Sequence, residues 1–202
     1  MIDLFIQLII TALVAYIIGA IPTGYIIVKL KTGDDIRKIG SGSTGATNVK
    51  RVLGKKWFFI TLLLDAFKGA LPVILAKTFI TVASNIGLAP VIASIAVIIG
   101  HSKSCFLNFQ GGKSVASGVG TILALNWVVG AIIAVIWGII TYFTKYVSVG
   151  SIIALSISPI LMYLFKNPVA YVCYCALGAI YIIYLHRENI KRLIAGNENK
   201  VR

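Results

Sequence analysis

SVASGVGTILALNWVVGAIIAVIWGIITYFT, Ser114 to Thr144, runs for 31 residues without a charged side chain. A helix needs about 20 apolar residues to cross a hydrocarbon core of roughly 30 Å. The stretch reads either as one over-long span or as two that break at Asn126-Trp127, and the choice sets the parity of the whole chain. Other apolar blocks lie near 3–28, 57–79, 86–100, 149–165 and 168–186. The N-terminal MIDLFIQ carries Asp3 and no basic residue, which places it outside, because cytoplasmic loops hold the Lys/Arg excess. The basic segment 29–56 is then inside, the turn TVASN at 81–85 outside, and the 101–113 loop inside again with Lys103 and Lys113. A single span over 114–144 would leave the basic C-terminal tail outside. Spans at 114–126 and 127–144 return it to the cytoplasm. The chain therefore reads as all-α: a polytopic membrane helical bundle with seven transmembrane helices, N-terminus outside, C-terminus cytoplasmic, in a single integral membrane domain over 1–202.

Composition agrees. Of 202 residues 58% are hydrophobic, and the mean hydropathy is +0.94, more apolar than a soluble domain of this size. The net charge of +13 is not spread as a nucleic-acid surface would need. Eight of the 19 basic residues are Lys29, Lys31, Arg37, Lys38, Lys50, Arg51, Lys55 and Lys56, and Arg187, Lys191, Arg192, Lys200 and Arg202 follow the last apolar run. Such clusters suit the inner membrane face and anionic lipids or a phosphorylated substrate. Cys105, Cys173 and Cys175 fit no disulfide or zinc framework, so neither a metal nor a cofactor is expected. The first apolar run has no basic residues ahead of it and stops at Lys29 and Lys31, unlike a cleavable signal peptide.

Three polar islands interrupt the apolar blocks, all on the face read as cytoplasmic. The first is GSGSTGATNVKR, Gly40 to Arg51. Gly40, Gly42 and Gly45 permit positive φ, so successive N–H groups can form an anion nest. Ser41, Ser43, Thr47 and Asn48 add hydroxyl and amide partners, and Arg51 is able to grip a phosphate in bidentate fashion. The second island, GHSKSCFLNFQGGKS, Gly100 to Ser114, holds His101 and the Gly111-Gly112-Lys113 run. Its G-K-S resembles a nucleotide loop, but the first glycine of that motif falls on Leu107, and no α/β unit surrounds it. Paired glycines, a lysine and a following helix still suit a phosphate. Phe106 and Phe109 suit membrane-interface anchors. The third island is HRENIKRLIAGNE, His186 to Glu198, in which His186, Asn189 and Leu193 share one helical face. Within the second span, Asp65 and Lys68 are three apart. Ionisable groups in a bilayer are costly and are usually paired or functional, so the two read as an ion pair that orients the site or holds helices together.

Taken in order, the islands resemble the PlsY family of bacterial acyl-phosphate:glycerol-3-phosphate acyltransferases. The family pattern G-S-G-N-x-G-A-T-N-x-x-R is met by GSGSTGATNVKR, with Ser43 for asparagine. G-H-x-x-x-x-F-x-x-F-x-G-G-K-G-V-A is met by GHSKSCFLNFQGGKSVA, with Ser114 for glycine. H-R-x-N-I-x-R-L-x-x-G-x-E is met without departure, and GAIPTGY and DAFKG also look like family features. The resemblance runs from about Gly19 to Glu198.

The resemblance implies transfer of a fatty acyl group from acyl phosphate to the 1-hydroxyl of glycerol 3-phosphate, giving lysophosphatidate and inorganic phosphate for phospholipid synthesis. It implies seven spans, a bacterial cell-membrane location with a cytoplasmic site, and no acyl-CoA requirement. The H-x-x-x-x-D dyad of the neighbouring acyltransferase class is absent, since five past His101 is Phe106 and five past His186 is Lys191. On this reading Ser41, Arg51, His186 and Asn189 are catalytic. Gly42, Thr47, Asn48, Lys68, His101, Gly111, Gly112 and Lys113 bind substrate, and Asp65 and Glu198 are structural. The expected partners are the two substrates and the lipid bilayer, with no nucleic acid and no obligate protein partner. Three alternatives stay open for the hydroxyl proton: His186, since histidine titrates near about 6.5, the substrate's own phosphate, or a covalent route through Ser41. The competing class is a carrier for organophosphate anions, which would hold its phosphate near mid-membrane between repeated halves. Neither feature is legible here.

Overall fold

The computed structural model describes residues 2–80 and 86–201. The 81–85 turn lies outside the described residues. Apart from one isolated β-bridge between Ser104 and Gln110, the regular structure described is helical. We number the helices α1 (Ile2–Ala20), α2 (Thr23–Thr32), α3 (Ala46–Leu53), α4 (Lys55–Phe79), α5 (Leu88–Ser102), α6 (Val115–Leu125), α7 (Trp127–Thr144), α8 (Val147–Leu164), α9 (Val169–Leu185) and α10 (Arg187–Ile194).

Each of the seven apolar segments read from the sequence is helical. Four are long and apolar enough to cross a membrane: α1 with α2 (Ile2–Thr32), α4, α7 and α8. A fifth is α9 joined to α10 across a bend of 59°. The apolar helices α5 and α6 are shorter, at 15 and 11 residues. The first segment, read as unbroken over 3–28, is two helices parted at Ile21-Pro22, because proline has no N–H to continue the ladder and clashes with the preceding turn. The Asn126-Trp127 break has a local cause: the Asn126 carboxamide oxygen accepts from Val128 and Val129 N–H and so caps α7. Its Nδ2 donates to Asn167 Oδ1 at 3.0 Å.

The chain forms two compact units, 1–121 and 122–202, and the division falls within α6. In the first unit α5 packs on α1 and α4, and α3 packs on α2 and α4. Small residues set the spacing. A Cβ on Gly19 would strike the Val97 backbone, and one on Gly69 would strike the backbone of Ser117. Between membrane helices, where lipid is as apolar as leucine, such close backbone approach supplies the packing energy. A separate apolar core of Val28, Ile36 and Val49, flanked by Tyr25 and Trp57, seats α3 and the loop before it on α2. In the second unit α8 packs against both α7 and α9. Some buried hydroxyls are satisfied within their own helices, as where Thr61 donates to Trp57 O and Ser94 to Pro90 O.

Candidate active site

The first island is built around Asn48. This residue is buried on α3, and its Nδ2 donates to Ile39 O at 2.9 Å and Ser43 O at 3.0 Å, while its Oδ1 accepts from Ser41 N–H at 3.0 Å. Gly40 has φ +62°, and a Cβ there would occupy the place of Asn48 Oδ1, so both conformation and space call for glycine. The anion nest expected from the glycines does not form. Ser41 N–H goes to Asn48, Gly42 N–H to Ile39 O, and Gly45 N–H to Ser43 Oγ. Gly45 has φ −76° and stands as the extended N-cap of α3. These three N–H groups are spent on the loop's own shape. Ser41 and Arg51 are exposed and Thr47 is half-buried, and among the described residues the Arg51 guanidinium has no hydrogen-bond or ion-pair partner. Before the island, Arg37 clasps Asp35 with a shortest contact of 2.6 Å, and its hydrogen bonds lower that carboxyl to about 2. Asp35 stays ionised and occupies the Arg37 guanidinium.

The second island folds back on the end of α5. Gly112 N–H donates to His101 O at 3.1 Å, and Cβ atoms on Gly111 and Gly112 would strike the His101 carbonyl and Nε2 respectively. The two glycines are thus the closest backbone cover that the His101 ring and carbonyl allow. His101 is buried, and its Nδ1 lies 3.0 Å from Ser117 Oγ and 3.7 Å from Asp65 Oδ1. The connecting loop is tied to α1, with Ser104 Oγ donating to Ala20 O at 2.6 Å and Tyr16 Oη to Lys103 O at 2.8 Å. Phe106 and Phe109 are exposed, as membrane-interface anchors would be. Lys113 is half-buried.

Ser114 explains itself in this setting. Its φ of +58° is a left-handed conformation that glycine, the residue of the family pattern, adopts freely. Serine is strained there, but its buried Oγ donates to Ile98 O at 3.0 Å. The strain, about 1 kcal/mol, and the bond, also about 1 kcal/mol, nearly cancel. Ser114→Gly should therefore unfold within about 0.5 kcal/mol of the parent, while Ser114→Ala keeps the strain, loses the bond and unfolds about 1 kcal/mol earlier. Thermal unfolding in detergent gives the ordering, and alanine as stable as serine would contradict it.

The ion pair within α4 is fully engaged. Lys68 Nζ lies 2.9 Å from Asp65 Oδ1 and donates to Ile21 O at 2.7 Å, and Asp65 also accepts from Thr23 Oγ1. The buried ammonium of Lys68, a substrate-binding residue on the family resemblance, is bonded to a carboxylate and to the Ile21 carbonyl at the Ile21-Pro22 break.

In the second unit, His186 closes α9 and starts α10. It is buried, and its Nδ1 lies 2.8 Å from Ile182 O. A carbonyl only accepts, so Nδ1 carries a proton. Asn189, one turn on and also buried, donates from Nδ2 to Glu198 Oε1 at 2.6 Å. Glu198 also accepts from Ser148 Oγ at 2.9 Å and from Arg192 Nε at 2.8 Å. Burial pushes the Glu198 carboxyl up, but the bonds from Asn189, Arg192 and Ser148 outweigh it and hold the group below its ordinary value. Ser148 escaped the sequence reading, since it meets Glu198 across 50 residues of chain and carries no motif of its own; Thr23 lies in the quoted GAIPTGY, but its bond to Asp65 spans 42 residues and was not legible. Ser117 escaped it for the same reason.

Residues 9–196 match the family model described as glycerol-3-phosphate acyltransferase. The chain belongs to that family. It is 44% identical to a glycerol-3-phosphate acyltransferase of Nostoc sp., covering 94% of this chain and 89% of the relative. A Thermotoga petrophila protein of the same description is 43% identical, covering 94% of each. A crystal structure of PlsY, an integral membrane glycerol 3-phosphate acyltransferase, in its glycerol 3-phosphate form superposes with a TM-score of 0.91 at 34% identity, over 97% of this chain and 96% of that one. The lysophosphatidic acid form of PlsY gives a TM-score of 0.89. The chain is thus a multi-pass membrane protein and a glycerol-3-phosphate acyltransferase of the PlsY type.

Proposed function

We propose that the chain transfers a fatty acyl group from acyl phosphate to the 1-hydroxyl of glycerol 3-phosphate, releasing lysophosphatidate and inorganic phosphate. The observation that carries this reading is the first island: an internally bonded loop that presents Ser41, Thr47 and the unpaired Arg51 guanidinium, together with the PlsY forms that hold glycerol 3-phosphate and lysophosphatidic acid. The hydroxyl oxygen attacks the acyl carbonyl carbon, the bond from that carbon to the bridging oxygen breaks, and phosphate leaves. The mixed anhydride is already activated, so no strong leaving-group acid is required. Positive charge from Arg51 and Lys113 stabilises the tetrahedral oxyanion and the departing phosphate, the term that is usually largest in acyl transfer. His186, with Nδ1 held on Ile182 O, directs Nε2 to the hydroxyl proton, and the phosphate of glycerol 3-phosphate is the alternative acceptor. Asn189 positions glycerol 3-phosphate. Asn48 supports Ser41 rather than touching substrate, because its amide is already bonded to the loop. Direct transfer is favoured over an acyl-Ser41 intermediate, since no histidine borders Ser41 in sequence and its described hydrogen bond goes to Asn48.

We place this chemistry on the cytoplasmic face of the bacterial cell membrane, with seven spans, the N-terminus outside and the C-terminus inside. Supporting this are the seven apolar helical segments and the basic residues on the loops that carry the islands. The family match runs unbroken across both compact units, which supports a single acyltransferase domain.

The test is donor choice. Purified protein receives labelled glycerol 3-phosphate with either palmitoyl phosphate or palmitoyl-CoA. Lysophosphatidate is expected from the phosphate donor alone. Product from palmitoyl-CoA alone would overturn the donor assignment. Absence of product with either donor, in folded protein that still binds glycerol 3-phosphate, would bring the organophosphate carrier forward.

A further inference from the structure

A continuous path of buried polar and close-packed contacts joins the two loops read as phosphate-binding in the first unit. It begins at Gly112, whose N–H is held by His101 O and whose Cα lies against the His101 ring. The ring continues it: Nδ1 lies against Ser117 Oγ at 3.0 Å and faces Asp65 Oδ1 at 3.7 Å. Asp65 accepts from Thr23 Oγ1 and pairs with Lys68, whose Nζ caps the Ile21 carbonyl. Thr23 opens α2, and the next residue, Gly24, packs so closely on the first island that a Cβ would strike Thr44 O and Val49 Cγ2. The path ends in the Gly40–Gly45 loop that Asn48 shapes.

Burying a carboxylate and an ammonium together is costly, and a buried pair is weak ground for stability when apolar residues of similar volume would serve. What the pair achieves here is geometric. At the break between α1 and α2, Lys68 and the Thr23 N–H both hold the Ile21 carbonyl, and the Thr23 hydroxyl has Asp65 as its acceptor at the start of α2. We propose that Asp65, with Thr23, Lys68, His101 and Ser117, is a positioning strut that registers the Gly40–Gly45 loop against the Gly111–Lys113 loop. The two phosphate-bearing substrates are thereby held at a reactive separation. The proposal rests on the reading of these loops as the substrate phosphate sites. None of the five is called a catalytic residue; each acts through the loops it sets.

A strut of this kind has a signature that loss of fold lacks. Each loop binds its own phosphate whether or not the other is in register, so binding persists and turnover falls. The mildest probe is Thr23→Val, which keeps the shape and removes only the hydroxyl that Asp65 accepts. Thr23→Ser restores that hydroxyl, and Ser117→Ala removes the hydroxyl that orients His101. For full-length protein in detergent, kcat is measured together with equilibrium binding of glycerol 3-phosphate and the unfolding midpoint. Misplacement of reacting groups by about 1 Å costs on the order of 10²-fold, so Thr23→Val and Ser117→Ala should lower kcat about 10- to 100-fold. Binding and the midpoint should stay near wild type, and Thr23→Ser should recover most of the turnover. Wild-type turnover in Thr23→Val would overturn the strut. So would losses of turnover and binding in step that Thr23→Ser does not recover. If Thr23→Val does not fold, Ser117→Ala decides by the same two readouts. Wild-type protein that makes no lysophosphatidate defeats the acyltransferase reading itself, whereas active wild type with undiminished variants defeats only the strut.

Discussion

Arg51→Ala should lower lysophosphatidate formation about 10²- to 10³-fold while leaving the fold intact, and Arg51→Lys should recover only a small part of the loss. The asymmetry follows from where the side chain sits. Arg51 lies on the outer face of α3, exposed, with no hydrogen-bond or ion-pair partner among the described residues, so its removal orphans nothing. Stability should change by no more than about 0.5 kcal/mol, the usual range for such surface positions. Turnover is another matter. A guanidinium meets two phosphate oxygens at once in a fixed fork, whereas an ammonium offers a point charge. Loss of one preorganised donor to developing negative charge costs about 10²–10³ in kcat, and Arg51 supplies both the charge and the geometry. The checks are steady-state kinetics with palmitoyl phosphate and a thermal unfolding midpoint on the same preparation. Arg51→Ala at more than a tenth of wild-type turnover would remove the first island from the reaction.

The same side chain shows what the sequence makes legible. Arg51 is found at a fixed distance from a glycine-rich turn because both belong to one continuous stretch, and local spacing survives folding. So do the break at Asn126, which carries its own cap, and the shared face of His186 and Asn189, which follows from helical period. The anion nest fails for an equally physical reason. Positive φ at Gly40 and Gly42 is visible in the sequence, but where the resulting N–H groups point depends on Asn48, which turns inward and takes one of them. Long-range bonds are the least legible. Thr23 with Asp65 and Ser148 with Glu198 join ordinary polar residues far apart in the chain, and no spacing rule marks them. Lys68 shows the limit from the other side. A lysine inside an apolar span is readily flagged, yet the backbone break that employs it lies 47 residues away.

Glu198→Ala should cost about 1–3 kcal/mol of stability in the second unit, with a fall in kcat on the order of 10²-fold; Glu198→Gln should keep most of the stability and lose most of the turnover. One carboxylate gathers Asn189, Arg192 and Ser148. Alanine takes away the acceptor of the Ser148 hydroxyl and one partner of Asn189, whereas Arg192 is partly exposed and water replaces its partner. Glutamine still accepts, but with a neutral oxygen on one side and a competing donor on the other, so either the Asn189 amide or the Arg192 guanidinium loses its bond. Asn189 follows His186 by one turn on the same face, and its Nδ2 donates to Glu198 Oε1, which helps to set the amide's orientation. Acid should reproduce the effect. The Glu198 carboxyl is held below its ordinary value of 4.5, so the charged form is bound more tightly in the folded chain than in the unfolded one. Its stabilising contribution is complete above that ordinary value and is lost as pH falls through the lower, folded one. Wild type should therefore lose unfolding midpoint on acidification below about 4.5, and Glu198→Gln, which has no proton to take up at that position, should lose less over the same interval. Parallel acid profiles for the two proteins would show that the carboxylate does not hold this end of the chain, and with it would fall the account of how Asn189 is aimed.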